Sequence, residues 1–344
     1  MSTFSGQLKS NEIFSALYNM IISQDVFADN IKGDDLVSKA RVNGTLYGDS
    51  KLYYATDCLK SSEWGNDAEA ENLLKLHRPQ PPKAQAITLD KFRQICLTVD
   101  DYLSKRAWST EGAFSAFNSV MKGWLSDTKK VYDGTTYNAY IGTVETSVGK
   151  QTQSVSSTIA ADGKQLAEAL ADIITEMTDY NRDYTDNGFL RRYSEGEIKF
   201  VFNSKYINKI KNVDLPVIFD NAGLKATFNK EVLPARYFGT INANATTADG
   251  TKTRSLIEQE IGSNHYFAGD LIKSGDKAPA GTSYQESDAV ICKIFTVLPP
   301  YMSAFEVGTS FFNPKSLTEN DYLTFGHNTI EYLQDKPCVT IKKA

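Results

Sequence analysis

An α+β fold is the architecture this sequence predicts, and three observations predict it. In Ile87-Thr88-Leu89-Asp90 and again in Ile95-Cys96-Leu97-Thr98-Val99-Asp100, apolar and polar residues alternate, as in strands with one buried face. From Ser109 the residues Phe114, Phe117, Val120 or Met121, Trp124 or Leu125, Thr128, and Val131 or Tyr132 recur at gaps of three and four, one stripe along a helix. From residue 289 onward the chain returns to strand-like runs, led by Ala289-Val290-Ile291-Cys292-Lys293-Ile294-Phe295-Thr296-Val297-Leu298.

In chain order, residues 1–38 hold one short amphipathic piece. Its apolar face is Ile13, Phe14, Leu17, Tyr18, Ile21 and Ile22, with Ser10 or Asn11 as cap. A strand-rich excursion spans roughly residues 39–99. It opens with the run from Gly44 to Ala55, has an acidic, helix-prone centre at 64–74, and is broken by Pro79-Gln80-Pro81-Pro82, which favours extended chain. Two extended arms around such a tip suit a long hairpin reaching away from its own core; an intramolecular hairpin with a decorated loop is the alternative. The long helix is expected from about residue 109 to 132 or 135, with Ser109 or Thr110 as cap and Glu111 in its first turn. At ~24 residues it would be ~36 Å long, better suited to a scaffold than to a pocket.

The polar stretch 142–163, rich in Ser and Thr, reads as a connection. Leu166, Leu170, Ile173, Ile174 and Met177 then share a helical face up to Tyr180. Ile198 to Phe202 reads as a buried strand, residues 217–219 as another begun by Pro216, and residues 242–253 as a loop. The carboxyl end alternates at 322–325 and at 329–333, and a terminal strand, Cys338-Val339-Thr340-Ile341, ties the chain end into a sheet. No internal repeat recurs, which excludes solenoids and propellers.

With 344 residues, 41% hydrophobic and 23% charged, the chain can form about two domains or one elaborated fold. A net charge of −5 argues against a dedicated nucleic-acid binder, which would carry a basic stripe. Cys58, Cys96, Cys292 and Cys338 lie far apart without C-x-x-C spacing, so reduced and mostly buried thiols in a cytosolic protein are expected rather than a zinc cluster. The first residues lack a signal-peptide pattern, and the longest apolar stretch is broken by Lys293 and Pro299-Pro300, so no membrane association is expected. The sequons at Asn43 and Asn244 read as chance.

Residues suited to catalysis do not converge. His77, His265 and His327 have no metal-ligand spacing, and neither dinucleotide-binding nor phosphate-loop glycine patterns occur. Glu145-Thr146-Ser147-Val148-Gly149 lacks the first glycine of a nucleophile elbow, and adjacent Asp100 and Asp101 project in different directions. No catalytic residue, metal or cofactor is therefore assigned, and an enzyme is not expected. The 18 Tyr, 18 Phe and 3 Trp point instead to extensive contact surface, with examples outside helices at Tyr237, Phe238, Tyr266, Phe267, Tyr301, Phe311 and Phe312.

The stretch VDDYLSKRAWSTEGAF followed by DTKKVYDGTTYNAYIG resembles the entry to, and the run along, the spine helix of tailed-bacteriophage major capsid proteins of the Hong Kong 97 type. The order of arm, strand-rich excursion, long helix, second helix and Ile198–Phe202 strand fits that family over most of the chain. The resemblance implies an amino-terminal arm (1–38), an extended loop (39–100), a peripheral domain (101–145 and 301–344) carrying the spine helix, and an axial domain (146–300). It further implies self-assembly into hexamers and pentamers of an icosahedral virion head enclosing double-stranded DNA, without sequence-specific binding. Such a head forms in the bacterial cytoplasm, where portal, scaffolding or accessory proteins are possible partners. Tyr47, Tyr53, Tyr54, Trp64, Leu73, Leu74, Phe14 and Tyr18 are the candidate inter-subunit contacts. No lysine–asparagine crosslinking motif is matched. An encapsulin-like shell shares the fold and is the alternative; a tail-tube protein would lack the spine helix, and an uncharacterised cytosolic hydrolase would need a preformed pocket.

Overall fold

The structure is a computed structural model and describes residues 32–44, 49–61, 76, 78–100, 111–146, 148–207, 229–242, 283–286 and 289–344. The elements in order are α1 (Asp35–Ala40), β1 (Arg41–Asn43), β2 (Ser50–Ala55), β3 (Lys83–Asp100) and α2 (Glu111–Thr143), then β4 (Thr152–Val155), α3 (Ser157–Ala161) and α4 (Gly163–Thr178). They continue with β5 (Lys199–Asn203), β6 (Asn229–Leu233), β7 (Gly239–Asn242), β8 (Ser283–Glu286), β9 (Val290–Phe295), β10 (Tyr301–Asn313), β11 (Thr318–Asn328) and β12 (Cys338–Lys343). The amphipathic piece at 13–22, the acidic centre at 64–74 and the strand expected at 217–219 lie outside the described residues.

Two five-stranded sheets carry the fold, in the orders β1-β10-β11-β3-β2 and β4-β12-β9-β5-β6, beside a small β7-β8 pair. The second sheet is covered on both faces. One face meets α4 through Leu166, Leu170, Ile174 and Met177, packed on Phe200, Ile291, Ile294, Val339 and Ile341. The other meets the carboxyl half of α2, where Tyr137, Tyr140, Ile141 and Val144 join Val201, Phe295 and Cys338. A strand buried on both faces needs an almost continuous apolar run, which is what Val290–Phe295 supplies; every residue of it is buried.

Several expectations change. The two alternating segments at 87–100 are one strand of 18 residues, β3. The spine helix α2 runs 33 residues and ends eleven residues beyond Tyr132, through Asp133-Gly134-Thr135-Thr136, which reads locally as a turn. Tertiary partners satisfy the breakers: Asp133 accepts from Tyr301 Oη (2.6 Å), Lys129 Nζ (3.3 Å) and Arg41 Nη2 (3.4 Å), and Asp34 packs against the open side of Gly134. The connection at 142–163 contains β4 and α3, capped by the Ser156 hydroxyl accepting from the Ile159 amide.

Residues 329–333 do not form the expected strand, because side chains take the groups a ladder would use. Asp90 accepts from Thr329 N and Oγ1, Tyr140 Oη accepts from Tyr332 N, and Gln85 both donates to Tyr332 O and accepts from Gln334 N. The final strand, grouped by the resemblance with the peripheral residues 301–344, instead sits inside the second sheet. There β12 pairs parallel to β4 and antiparallel to β9. The thiols also divide differently from expectation: Cys292 and Cys338 are buried, but Cys58 and Cys96 are exposed, all four free.

Candidate assembly surface

The β2–β3 hairpin does not stand free of its own core, as the reaching-limb reading expected. Its returning strand is shared: Lys83–Thr88 pair with β2, and residues 89–100 pair with β11. Between Ala55 and Lys83, Leu59 and Leu76 are among the described residues and are 77% and 78% exposed. On β2 the alternation puts Leu52 and Tyr54 on the open side, Tyr54 at 70% exposure, while Ala55 is buried. On this outer strand the open side presents Leu and Tyr, and Lys51 is the strand's one charged residue.

A second exposed surface follows from register. Strands β3, β11 and β10 form a blade on which Gln94-Thr324-Val307, Cys96-Tyr322-Thr309 and Thr98-Asn320-Phe311 stand in rows on one face. The opposite face carries Ile95 and Leu323 against the core and Phe325, whose ring meets Tyr132 of α2 edge-on at 5.5 Å. Because rows alternate between faces, Val307 and Phe311 must look away from the helix, and both are exposed, Phe311 at 61%. Phe92 is exposed on the same outer face, opposite Gly326. Phe312 and Leu317 add apolar surface at the blade's tip.

Buried polar groups fasten the blade to the spine. His327, buried in β11, donates from Nδ1 to Asn328 O (2.9 Å), which leaves Nε2 to accept from Tyr132 Oη (2.9 Å); Arg93 Nε donates to the same hydroxyl at 3.2 Å. Burial lowers the His327 pKa and outweighs the raising effects of the Asn328 carbonyl and Asp133. Lys129, itself buried, reaches Asp133 and Glu306 at 3.3 Å each. In the second sheet, Lys293 is 1% exposed and donates to Val144 O, just past the end of α2, and to Thr340 Oγ1 at 3.1 Å. A cation there meets the negative end of a 33-residue helix. Desolvation nevertheless lowers its pKa to about 8, against opposing contributions from Cys338 and Glu145. Among the described residues no group of three His, Cys, Asp or Glu side chains could hold a metal, and no helix is long and apolar enough to cross a membrane.

Of the residues singled out in the sequence, Tyr53 and Tyr54 lie on β2, Tyr53 half-buried and Tyr54 exposed. Phe14, Tyr18, Tyr47, Trp64, Leu73 and Leu74, like His77 and His265, lie outside the described residues. Sequence reasoning missed Leu52, Leu59, Leu76, Phe92, Val307 and Leu317 as surface residues. The adjacent pair Phe311-Phe312 did carry a usable signal: neighbours in a strand point to opposite faces, so one aromatic must leave the core side.

Comparison with solved structures assigns this geometry a fold. A chain in the capsid structure of Staphylococcus phage Andhra superposes with TM-score 0.66 at 10% identity, over 93% of this chain and 87% of that one. A chain in the structure of head fiber and inner core protein gp22 of native bacteriophage P68 gives the same figures, TM-score 0.66, 10% identity, 93% and 87%. A chain in the capsid of Ralstonia phage GP4 matches at TM-score 0.52 and 8% identity, over 93% of each chain. No family model and no curated protein matches the sequence. The similarity therefore lies in three-dimensional arrangement, and the fold of this chain is the Hong Kong 97-type α+β fold found in tailed-phage capsids.

Proposed function

We propose that this chain is the major capsid protein of a tailed phage, assembling with copies of itself into hexamers and pentamers of a closed head around double-stranded DNA. The observation that carries the proposal is the superposition on the Andhra capsid chain, over 93% of the length with TM-score 0.66. The exposed apolar side chains on β2, the excursion and the blade fit such a role. Each is a modest contact surface, and a shell subunit needs several that sum beyond a pairwise interface of ~1,600 Å². Its role is structural rather than catalytic.

In this proposal Phe14 and Tyr18 of the arm, Tyr47, Tyr53 and Tyr54, and Trp64, Leu73 and Leu74 of the excursion contact neighbouring subunits. Residues 101–145 with the blade form the periphery, and the second sheet with α4 faces the symmetry axes. Packaged DNA is held without sequence-specific contacts, and portal, scaffolding or accessory proteins complete the head, built in the host cytoplasm.

The test is deletion of residues 59–82 in recombinant protein, with negative-stain imaging and size-exclusion chromatography. The parent chain should form hexamers, tubes or shells; the deleted chain should keep its melting transition and remain a lone subunit. A parent that stays strictly monomeric and turns over a small substrate would overturn the proposal.

A further inference from the structure

The two roots of the 56–82 excursion converge on one segment of the chain's own second-sheet body. On the outgoing side, Asp57 Oδ2 accepts from Arg182 Nη1 at 2.6 Å, and its Oδ1 accepts from the amides of Leu190 (2.9 Å) and Cys58 (2.8 Å). Next to it, Thr56 O accepts from Arg191 Nη2 at 2.9 Å. Arg191 is held in turn by Asp335, with Nε at 3.2 Å and Nη2 at 2.7 Å from the two carboxylate oxygens. On the returning side, the Lys83 ammonium lies 5.6 Å from the centroid of the buried Phe189 ring, and the Arg191 guanidinium lies 5.7 Å from the same centroid. Two residues further, Gln85 is bound to Tyr332 O and Gln334 N.

Directed bonds therefore hold both described roots. A strand end in solvent frays unless something holds it. Here the carboxylate of Asp57 takes donors from its neighbour Cys58 and from Arg182 and Leu190, and the Arg191 guanidinium, attached to Asp335 at two points, holds Thr56 O in direction as well as distance. The Arg182 contact and the Leu190 amide keep the Asp57 carboxyl well below the usual carboxylate range, at about 2, so it is ionised at neutral pH.

We propose that Asp57, Arg182 and Arg191 form a latch that aims the excursion from within its own subunit, and that uniform assembly requires this aim to be set before a neighbour is met. The assembly half rests on the capsid reading; the latch itself does not. Without the latch, β2 and β3 still pair, but the direction in which residues 58–61 leave β2 is no longer tied to the second sheet, so successive subunits present this root at different angles.

The full-length chain carrying Asp57→Ala is compared with the parent by amide hydrogen exchange on the unassembled subunit and by imaging of assembled products. Loss of a charge-assisted bond should speed exchange of the Leu190 amide on the order of tenfold. The amides of Ile291 and Ile294 in β9 should keep their protection, and products should become mixed in size. Arg182→Gln, which spares the two amide bonds, should give the same mixed products with a smaller effect at Leu190. Unchanged exchange at Leu190, or uniform products from both variants, overturns the proposal. Equal loss of protection in β9 also overturns it, since Asp57 would then be a general prop. If the parent itself never assembles, the capsid reading and the assembly half fall together, while the exchange experiment still decides whether the latch exists.

Discussion

Replacing Lys293 by Met should change how stability depends on pH, by an amount that follows from one buried cation. In the folded chain Lys293 sits among β9, β12 and the end of α2 with its pKa lowered to about 8, against an ordinary value near 10.5 in the unfolded chain. Between those values the unfolded state binds the extra proton and the folded state does not, so this residue makes stability rise with pH from about 8 to about 10.5. At 1.36 kcal/mol per pKa unit, the rise is about 3 kcal/mol. Burial also raises the Cys292 and Cys338 thiol pKa values, which lowers stability above about pH 9, where unfolded thiols ionise. The parent curve should therefore peak near pH 9, and only the difference between variant and parent isolates the lysine.

At pH 7, Lys293→Met removes a desolvated charge but leaves Val144 O and Thr340 Oγ1 without their donor, a loss of roughly 1–3 kcal/mol that nearly cancels the relief. By pH 10.5 the parent has shed the charge and the variant gains nothing, so the variant should fall behind by about 3 kcal/mol relative to its standing at pH 7. Urea unfolding of the unassembled subunit at pH 7, 8, 9 and 10.5 measures this directly. A variant-minus-parent difference that stays flat across the series would refute the argument.

Tyr132→Phe should destabilise the subunit by about 1–3 kcal/mol, because it leaves buried His327 Nε2 without its donor; chemical denaturation at pH 7 measures the loss. On the acid side, His327 contributes stability that is intact above about pH 6.5 and declines as pH falls through its lowered folded-state value, so thermal melts of His327→Gln should show a flatter acid limb than the parent. Gly142→Ala should prevent soluble expression, since the added Cβ would lie 1.9 Å from the Tyr237 backbone oxygen, which a packed helix cannot move away from. Phe311→Ser should leave the subunit's melting within about 0.5 kcal/mol of the parent but abolish or distort its assembly, as seen by sedimentation.

Periodicity was informative where burial is one-sided. Leu125 and Tyr132 of the expected stripe are buried and marked the spine, although Trp124 of the same stripe is 40% exposed, and the shared face of Leu166, Leu170, Ile173, Ile174 and Met177 marked α4 within a few residues of its ends. It failed where distant groups overrule local preference. Asp133-Gly134 looks like a stop and is carried through by Tyr301, Lys129, Arg41 and Asp34. Residues 329–333 look like a strand and lose their ladder to Asp90, Gln85 and Tyr140. Of the candidate contact surface, Tyr53 and Tyr54 were legible as aromatics in a polar excursion. Val307 and Phe92 were not, because their outward face depends on which strand lies opposite.

By itself the sequence determined the α+β class and the order of the elements, because these depend on spacings of a few residues along the chain. Only the tertiary structure decided that β12 lies between β4 and β9 in the second sheet, that one long strand serves both hairpin and blade, and that Asp57 meets Arg182 across 125 residues. Such pairings are set by packing and by hydrogen bonds between parts of the chain that share no local pattern.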